Sequence, residues 1–224
     1  MDPGKLLLIR FGSLSGEKTS YFLNTAIDYF EVGRWMTNHG FSKLRRVGSR
    51  TQLFEMVSKD IADKNVLYLE FGVAAGDSMR IWSQLLKNRH SHLDGFDSFE
   101  GLPVNWTPLI DKGSYSTEGV EPCIPDSRVS FVKGLFEDTL VGYTPPDHDV
   151  LFINVDCDVY SSAALVLRRL RDFICPGTYL YFDEFADRSN EMKAFDDFLV
   201  LTGMQFRVVA ATKTLRRVCF QRVS

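Results

Sequence analysis

The sequence has no long apolar run and no paired cysteines. Its N-terminal apolar stretch, Leu6–Ile9, is shorter than the hydrophobic core of a signal peptide, and no other run reaches the length that a membrane-spanning helix needs. We therefore expect no membrane association and predict a cytoplasmic location. The four cysteines are scattered without a Cys-x-x-Cys pair, which argues against a zinc or redox site and favours free thiols.

An excess of charge of either sign is also missing. The 224 residues contain 26 Lys and Arg against 29 Asp and Glu, a net charge of −3, and no basic block stands out. We therefore expect no nucleic-acid partner. Hydrophobic residues make up 45% of the chain and charged residues 25%, which is typical of a protein that buries a core. The length suits one α/β domain with appendages.

Hydrophobic spacing divides the chain near residue 64. Before this point, apolar residues recur every three to four positions, as in Phe22–Phe30 and Leu53–Ile61. They predict two amphipathic helices joined by a basic loop from Lys43 to Arg50. After it, short apolar runs alternate with helical patterns. We predict an N-terminal helical cap or lid over residues 1–64 and a core over residues 65–224.

Seven apolar runs of the core predict strands, and the last two should form a hairpin. Alternating strands and helices imply right-handed crossovers and helices on both faces of a parallel sheet. The predicted fold class is α/β, with a Rossmann-like, mostly parallel seven-stranded sheet and an antiparallel edge hairpin. The predicted strands begin at Val66, His92, Val129, Val150, Tyr179, Gln205 and Leu215.

A glycine-containing turn follows the first core strand, in the run from Glu70 to Ser78. Gly72 and Gly76 allow a sharp turn close to a ligand, and the following helix offers free N–H donors. The run lacks the Gly-x-Gly-x-x-Gly pattern of dinucleotide sites, which disfavours a nicotinamide enzyme. The Glu70 carboxylate would repel a pyrophosphate, whereas it suits a cationic group such as an amino-acid ammonium.

Asp97 stands at the end of the second core strand. An acidic residue at this place can accept hydrogen bonds from both hydroxyls of a ribose, as in other doubly wound nucleoside sites. The alternative is a carboxylate that caps a turn or a helix.

Two acidic clusters follow later strands: Asp156 with Asp158, and Asp183 with Glu184. Ligands in open α/β sheets bind at the carboxyl ends of strands, so these side chains should face one crevice. Crowded carboxylates need a compensating cation or a bound proton, and Mg²⁺ or Mn²⁺ is the simplest neutraliser. The alternative is a set of solvated strand ends and helix caps, with Asp158 capping the helix near Ser161.

Four stretches of the core resemble the macrocin O-methyltransferase family. They are Leu69–Val73, Gly95–Pro103, Lys133–Leu140 and Val155–Ser162, and the most specific piece is the string Phe-Asp-Ser-Phe-Glu-Gly-Leu-Pro in the second. The resemblance covers about Val66–Phe185. It implies a class I methyltransferase that depends on S-adenosylmethionine (SAM). Its best-known members methylate deoxysugar hydroxyls of macrolide antibiotics with a divalent metal.

The resemblance implies a cofactor role for each matching position. The glycine turn would hold the methionine part of SAM, Asp97 and Ser98 the ribose, and the Gly-Leu-Phe stretch the adenine. The implied cofactor-binding residues are Glu70, Gly72, Gly76, Ser78, Asp97, Ser98, Gly134, Leu135, Phe136 and Asp156.

The same resemblance implies a metal site. Asp156, Asp183 and Glu184 match the metal-binding positions, and Mg²⁺ is the expected ion, although the family's acidic pair is usually Asp-Asp. The metal would orient an acceptor hydroxyl towards the methyl group of SAM and lower its pKa. Asp156 and Asp158 are the catalytic candidates, the latter as a base within reach.

The expected activity is O-methylation of a hydroxyl on a small molecule or a sugar, assisted by a divalent ion. Two alternatives stay open: a metal-independent SAM methyltransferase with another acceptor, and a non-catalytic SAM-binding scaffold. Methyl transfer that survives chelation would favour the first, and SAM binding without turnover would favour the second. The sequence also leaves open a homo-oligomer.

Overall fold

The computed structural model describes residues 2–41 and 44–224, and its first part is mostly helical. This part contains α1 (Pro3–Leu14), α2 (Glu17–Asn38), a short strand β1 (Arg46–Val47) and α3 (Arg50–Ser58). The Ser49 side chain caps α3 by accepting the N–H of Gln52. The predicted basic loop begins at Lys43, which lies outside the described residues, and its remainder contains β1. Within the described ranges, no helix is both long and apolar enough to cross a membrane.

The core alternates strands and helices. Its strands are β2 (Val66–Phe71), β3 (His92–Asp97), β4 (Val129–Lys133), β5 (Val150–Val155), β6 (Tyr179–Phe182), β7 (Phe206–Thr212) and β8 (Val218–Arg222). Its helices are α4 (Asp77–Leu85), α5 (Phe136–Thr139), α6 (Tyr160–Leu170) and α7 (Glu191–Thr202), and a 3₁₀ turn follows α6 at Arg171–Phe173. The strands β2 to β6 begin at the predicted residues, whereas β7 and β8 begin slightly later.

All described strands lie in one sheet, in the order β1-β7-β8-β6-β5-β2-β3-β4. Strand β8 is antiparallel to β6 and β7, and the other pairs are parallel. The predicted fold class is therefore confirmed. The sheet has eight strands instead of seven, because β1 pairs with β7 outside the hairpin. A two-residue strand that begins with an arginine is too short to give an apolar pattern.

Alternate residues of the central strands pack into two hydrophobic layers, one on each face of the sheet. In β2, Leu67 and Leu69 belong to the layer that includes α2, α6 and α7, whereas Val66 and Tyr68 belong to the layer with α3 and α4. This alternation follows from the two-residue period of a strand. Both β2 and β5 are buried along their whole length, as expected for strands covered on both faces. The packing fixes where their carboxyl ends lie.

The carboxyl ends of the parallel strands meet at one edge of the sheet, which we call the carboxyl edge. The chain segments that follow β2, β3, β5 and β6 all start there. Because β8 runs antiparallel to β6, its first residue, Val218, pairs with Phe182 at this same edge. The residues just before β8 therefore reach the carboxyl edge as well.

Candidate active site

A cavity of about 560 Å³ opens at the carboxyl edge. Its volume falls within the range of small-molecule and cofactor sites, roughly 300–1,000 Å³. The wall contains every sequence-predicted site residue except Gly76. Those wall residues are Glu70, Gly72, Ser78, Asp97, Ser98, Gly134, Leu135, Phe136, Asp156, Asp158, Asp183 and Glu184. The fold thus brings the predicted residues together, while their individual roles stay predictions.

The turn after β2 passes very close to the end of β5. Gly72 has a φ of 93°, and a Cβ atom at this position would lie 1.9 Å from the carbonyl oxygen of Asp156. Only glycine fits here, because any side chain would collide with that backbone. Gly76 also has a positive φ, but it is the N-cap of α4 and lies beside Pro122 and Ile124, away from the cavity wall. Gly76 shapes the turn without lining the site.

The Asp97 carboxylate holds this turn in place. Its Oδ2 accepts hydrogen bonds from the backbone N–H of Val73 at 2.7 Å and of Ala74 at 2.8 Å, and its Oδ1 accepts one from Phe99 at 2.8 Å. The bond from Phe99 is the turn-capping contact of the alternative interpretation. A carboxylate offers about four lone-pair sites. Asp97 therefore keeps acceptor capacity for a ribose hydroxyl while it orders the turn.

Glu70 is a buried acid in the cavity wall, with only 1% of its surface exposed. The Tyr68 hydroxyl donates a hydrogen bond to Glu70 Oε2 at 2.5 Å, and Asn154 Nδ2 donates to that hydroxyl at 2.9 Å. Burial raises the pKa of Glu70 from 4.5 to about 8, although the Tyr68 hydrogen bond and the charge of Arg50 lower it. A cationic ligand group at this place would favour the ionised carboxylate.

An apolar shelf follows β4 at the rim of the cavity. Gly134 donates its N–H to the carbonyl of Asp97 at 2.9 Å, which places the start of α5 beside the predicted ribose site. Leu135 is 51% exposed, and the Phe136 ring packs edge-to-face against Phe71. Exposed apolar surface next to Asp97 suits a planar base.

Two serines add polar atoms to the wall. The Ser78 hydroxyl is buried and has no hydrogen-bond partner among the residues that the structure describes. Buried polar groups are normally paired, so this hydroxyl is an exception among the described residues. The Ser98 hydroxyl accepts the N–H of Glu100 at 3.2 Å and stabilises the loop after β3.

Guanidinium groups hold the acidic pair after β6. Arg217 donates from Nε to Asp183 Oδ1 at 2.8 Å and from Nη2 to Oδ2 at 3.0 Å, and the Tyr181 hydroxyl donates to Oδ1 at 2.6 Å. Arg216 donates to both oxygens of Glu184, and its Nε lies 2.7 Å from each. Such forked contacts are among the strongest charge-assisted hydrogen bonds.

A third guanidinium lies between the two acidic clusters. Nη1 of Arg50, at the start of α3, lies 3.8 Å from Asp156 Oδ2 and 3.7 Å from Asp183 Oδ1. Burial and the neighbouring charges of Asp183 and Asp158 raise the pKa of Asp156 well above its ordinary value. The counter-charge that crowded carboxylates require is therefore supplied, at least in part, by arginine.

The three carboxylates predicted to bind a metal do not form a free set of donors. Mg²⁺ requires oxygen ligands at roughly 2.0–2.1 Å in near-octahedral geometry. Asp183 and Glu184 instead direct both of their oxygens towards guanidinium groups. Across residues 2–41 and 44–224, no group of three or more His, Cys, Asp or Glu side chains has an arrangement that could hold a metal ion. This arrangement does not fit a metal site.

Asp158 is a buried acid of the cavity wall, and its carboxylate accepts no hydrogen bond and forms no ion pair with the described part of the chain. Its φ of 61° is strained for a residue with a side chain, and strain of this kind concentrates at functional sites. Only 9% of the residue is exposed. Burial, together with the negative charges of Glu184 and Asp183, raises the pKa of Asp158 from 3.8 to about 7.

Asp158 does not cap α6, so the capping alternative is wrong for this residue. The N-cap of the helix is Val159, and the first helical N–H, that of Tyr160, donates to the side chain of Asn190 at 2.9 Å. The backbone N–H of Asp158 donates to Oε1 of the buried Glu191 at 3.3 Å. The Asp158 carboxylate is thereby left to face the cavity.

Sequence reasoning missed the residues that balance and position the acids: Arg50, Arg216, Arg217 and Glu191. The topology could have indicated Arg216 and Arg217, because they directly precede β8. The residues before a strand that runs antiparallel to β6 must reach the carboxyl edge. Arg50 follows β1, whose parallel pairing with β7 sends the chain to the same edge. No local pattern identifies Glu191, because its place behind the site depends on how α7 packs.

The strand order, the antiparallel β8 and the cavity at the carboxyl edge define a class I methyltransferase. Residues 40–212 match the profile of the Macrocin-O-methyltransferase (TylF) family. This segment spans well over half of the sequence, and the chain belongs to that family. It is therefore a SAM-dependent methyltransferase.

Solved structures with a similar fold include known methyltransferases. CalS11, a calicheamicin methyltransferase, has 21% identity and a TM-score of 0.58 over 77% of this chain and 80% of its own. The O-methyltransferase NovP has 19% identity and a TM-score of 0.59 over 78% and 80%. A Mg-SAM structure of CmcI has 14% identity and a TM-score of 0.51 over 82% and 77%. Among curated proteins, no sequence matches this chain significantly.

Proposed function

We propose that this enzyme transfers the methyl group of SAM to a hydroxyl of a small molecule or a sugar, with Asp158 as the base that accepts the hydroxyl proton. The proposal depends mainly on the burial, the missing hydrogen bonds and the pKa of Asp158. This residue is buried in the wall, its carboxylate accepts no hydrogen bond from the described residues, and its pKa of about 7 suits proton transfer near neutral pH.

The wall residues support a binding mode for the cofactor. Glu70 is placed to pair with the ammonium of the methionine part, and Asp97 has acceptor capacity for the ribose. The shelf of Leu135 and Phe136 offers an apolar surface to the adenine. When bound, SAM supplies a methyl group on a positively charged sulfur.

The proposed reaction is a single displacement at the methyl carbon of SAM. The proton of the acceptor hydroxyl passes to Asp158, and the oxygen forms a bond to the methyl carbon. The bond between that carbon and sulfur breaks, and its electron pair stays on the sulfur of S-adenosylhomocysteine (SAH). Positive and negative charge cancel during this step, so a cavity shielded from water favours it. Asp156, held beside Arg50, would orient the acceptor.

The metal assistance expected from the resemblance is not part of this proposal, because Asp183 and Glu184 are held by guanidinium groups. We propose that residues 1–64 act as a cap over the core at residues 65–224. This is supported by Arg50, which enters the cavity wall from the N-terminal segment. A cytoplasmic location and a homo-oligomeric state remain predictions from the sequence.

The proposal is tested by adding SAM and a set of hydroxyl acceptors to the purified chain. SAM binding is measured by calorimetry, and methyl transfer is followed by mass spectrometry with methyl rhamnoside, TDP-rhamnose and catechol as probes. We expect binding of SAM and a mass gain of one methylene unit on an acceptor oxygen. Absence of SAM binding, or transfer to an amine or carboxylate probe offered in parallel while the hydroxyl probes stay unmethylated, would contradict the proposal.

A further inference from the structure

We infer that three arginines, Arg50, Arg216 and Arg217, take the place of a divalent ion at the acidic clusters, so that this enzyme works without a metal. The inference rests on the proposed function, since it concerns how the same cavity handles its negative charge. It departs from the metal site that the family resemblance implies.

The two carboxylates that follow β6 are already occupied by arginine donors. Both oxygens of Asp183 accept hydrogen bonds from Arg217, and Oδ1 also accepts one from Tyr181. Both oxygens of Glu184 accept hydrogen bonds from Arg216. A metal ion would have to displace these donors or bind next to two positive charges. Neither is favoured, because Arg cannot release its charge by losing a proton.

Arg50 occupies the space between the two acidic clusters. An ion that joined the two clusters would lie between Asp156 and Asp183, and Nη1 of Arg50 is already there, within 4 Å of an oxygen of each. The side chain is only 26% exposed, so it is enclosed by the site and does not reach out into solvent. The guanidinium therefore bridges the two strand ends, as a bridging ion would.

The arginines also supply a positive charge for each of the three carboxylates predicted to bind a metal. Asp156, Asp183 and Glu184 carry three ionisable carboxylates, and the three guanidinium groups match them one for one. Asp158, in the same wall, makes no ion pair with a described residue. A metal would add two positive charges next to three guanidinium groups that already face these carboxylates. The arginines balance the cluster and leave this base outside the ion pairs.

The arginines come from parts of the chain that the fold brings to the carboxyl edge independently. Arg50 opens α3, and the other two precede β8. Their fixed positions follow from the pairing of β1 with β7 and of β8 with β6. The counter-charge is thus built into the fold and does not depend on the supply of a metal.

The experiment is a Mn²⁺ titration of the EDTA-treated chain, followed by the electron paramagnetic resonance signal of free Mn²⁺. We expect no site with a Kd below about 1 mM. In the double variant Arg50→Met with Arg217→Met, the freed carboxylates should bind Mn²⁺ at least about tenfold more tightly, and adding Asp156→Asn should remove that binding. Arg207→Met, which alters an exposed arginine paired with Gln221, is the matched control and should bind no Mn²⁺.

Wild-type binding tighter than about 1 mM that Asp156→Asn abolishes would overturn the inference. If the double variant lacks a cooperative thermal transition, it is not folded, and the Mn²⁺ titration of the wild type alone then tests the inference. Methyl transfer provides a second readout, which should be unchanged by EDTA. A chain that binds no Mn²⁺ and transfers no methyl group would contradict the proposed function only. A chain that transfers methyl groups only with Mn²⁺ would contradict the inference only.

Discussion

The buried carboxylate of Glu191 accepts the backbone N–H of Asp158 at 3.3 Å. Its other oxygen accepts the N–H of Glu184 at 2.9 Å, so one side chain of α7 joins the ends of β5 and β6. Glu191 is completely buried, and burial raises its pKa well above the ordinary value. It is a positioning residue, because it holds the backbone of two cavity residues without lining the cavity itself.

Removing this contact should destabilise the protein. Glu191→Ala leaves two buried N–H groups without an acceptor, at a cost of roughly 1–3 kcal/mol for each. Glu191→Gln keeps one accepting oxygen and should lose less. Urea unfolding of both variants measures the free energy of unfolding. An alanine variant as stable as the wild type would show that water replaces the carboxylate.

Glu70 should make stability depend on pH. Its pKa is about 8 in the folded protein and 4.5 ordinarily, so the folded state keeps a proton that the unfolded state loses. Its contribution to stability is therefore fully present below pH 4.5 and is lost as pH rises towards 8, by up to about 1.4 kcal/mol per pH unit. Relative to the wild type, Glu70→Gln should flatten the curve of unfolding free energy between pH 5 and 8.

Urea unfolding at a series of pH values provides this curve. The control is Glu121→Gln, which alters an exposed carboxylate and should leave the curve unchanged. Parallel curves for the wild type and Glu70→Gln would show that Glu70 is ionised in the folded protein.

Asp97→Ala should weaken SAM binding by about 1–3 kcal/mol, because the variant loses a charged acceptor for the ribose and the three N–H bonds that order the turn. The matched control is Asp94→Ala. Asp94 lies on the same strand and accepts a hydrogen bond from Ser130 at 2.7 Å, and it is not part of the cavity wall. Calorimetry with SAM measures both Kd values. Equal affinities for Asp97→Ala and the wild type would leave Asp97 with the turn-capping role only.

Two aromatic side chains of α2 should contribute very unequally to stability. Trp35 of α2 is only 9% exposed, and its Nε1 donates a hydrogen bond to Asp196 at 2.7 Å, whereas Phe22 of the same helix is 65% exposed. Trp35→Ala should cost about 3–5 kcal/mol, as is usual for buried aromatic side chains. Phe22→Ala should change stability by less than about 0.5 kcal/mol. Thermal unfolding distinguishes them, and similar melting temperatures would contradict this packing.

The sequence predicts the core of the fold well, because β2, β5 and β6 are buried along their whole length and leave a strong local pattern. It also identifies the acids, since Asp156 and Asp183 directly follow such strands. It does not identify their partners. Arg50 and Arg217 reach the site through strand pairing between distant segments, and no local pattern records that pairing. The expectation of a metal followed from counting the acids without these arginines.

The most direct test of the account is the pH dependence of methyl transfer in the wild type and in Asp158→Asn, measured with the best acceptor found among the probes. The wild-type rate should rise with pH and level off above about 7, because Asp158 must be ionised to accept a proton. Asp158→Asn should bind SAM normally and react about 10²–10⁴-fold more slowly, without that pH dependence. A variant with the wild-type rate and pH profile would contradict the role of Asp158 as the base.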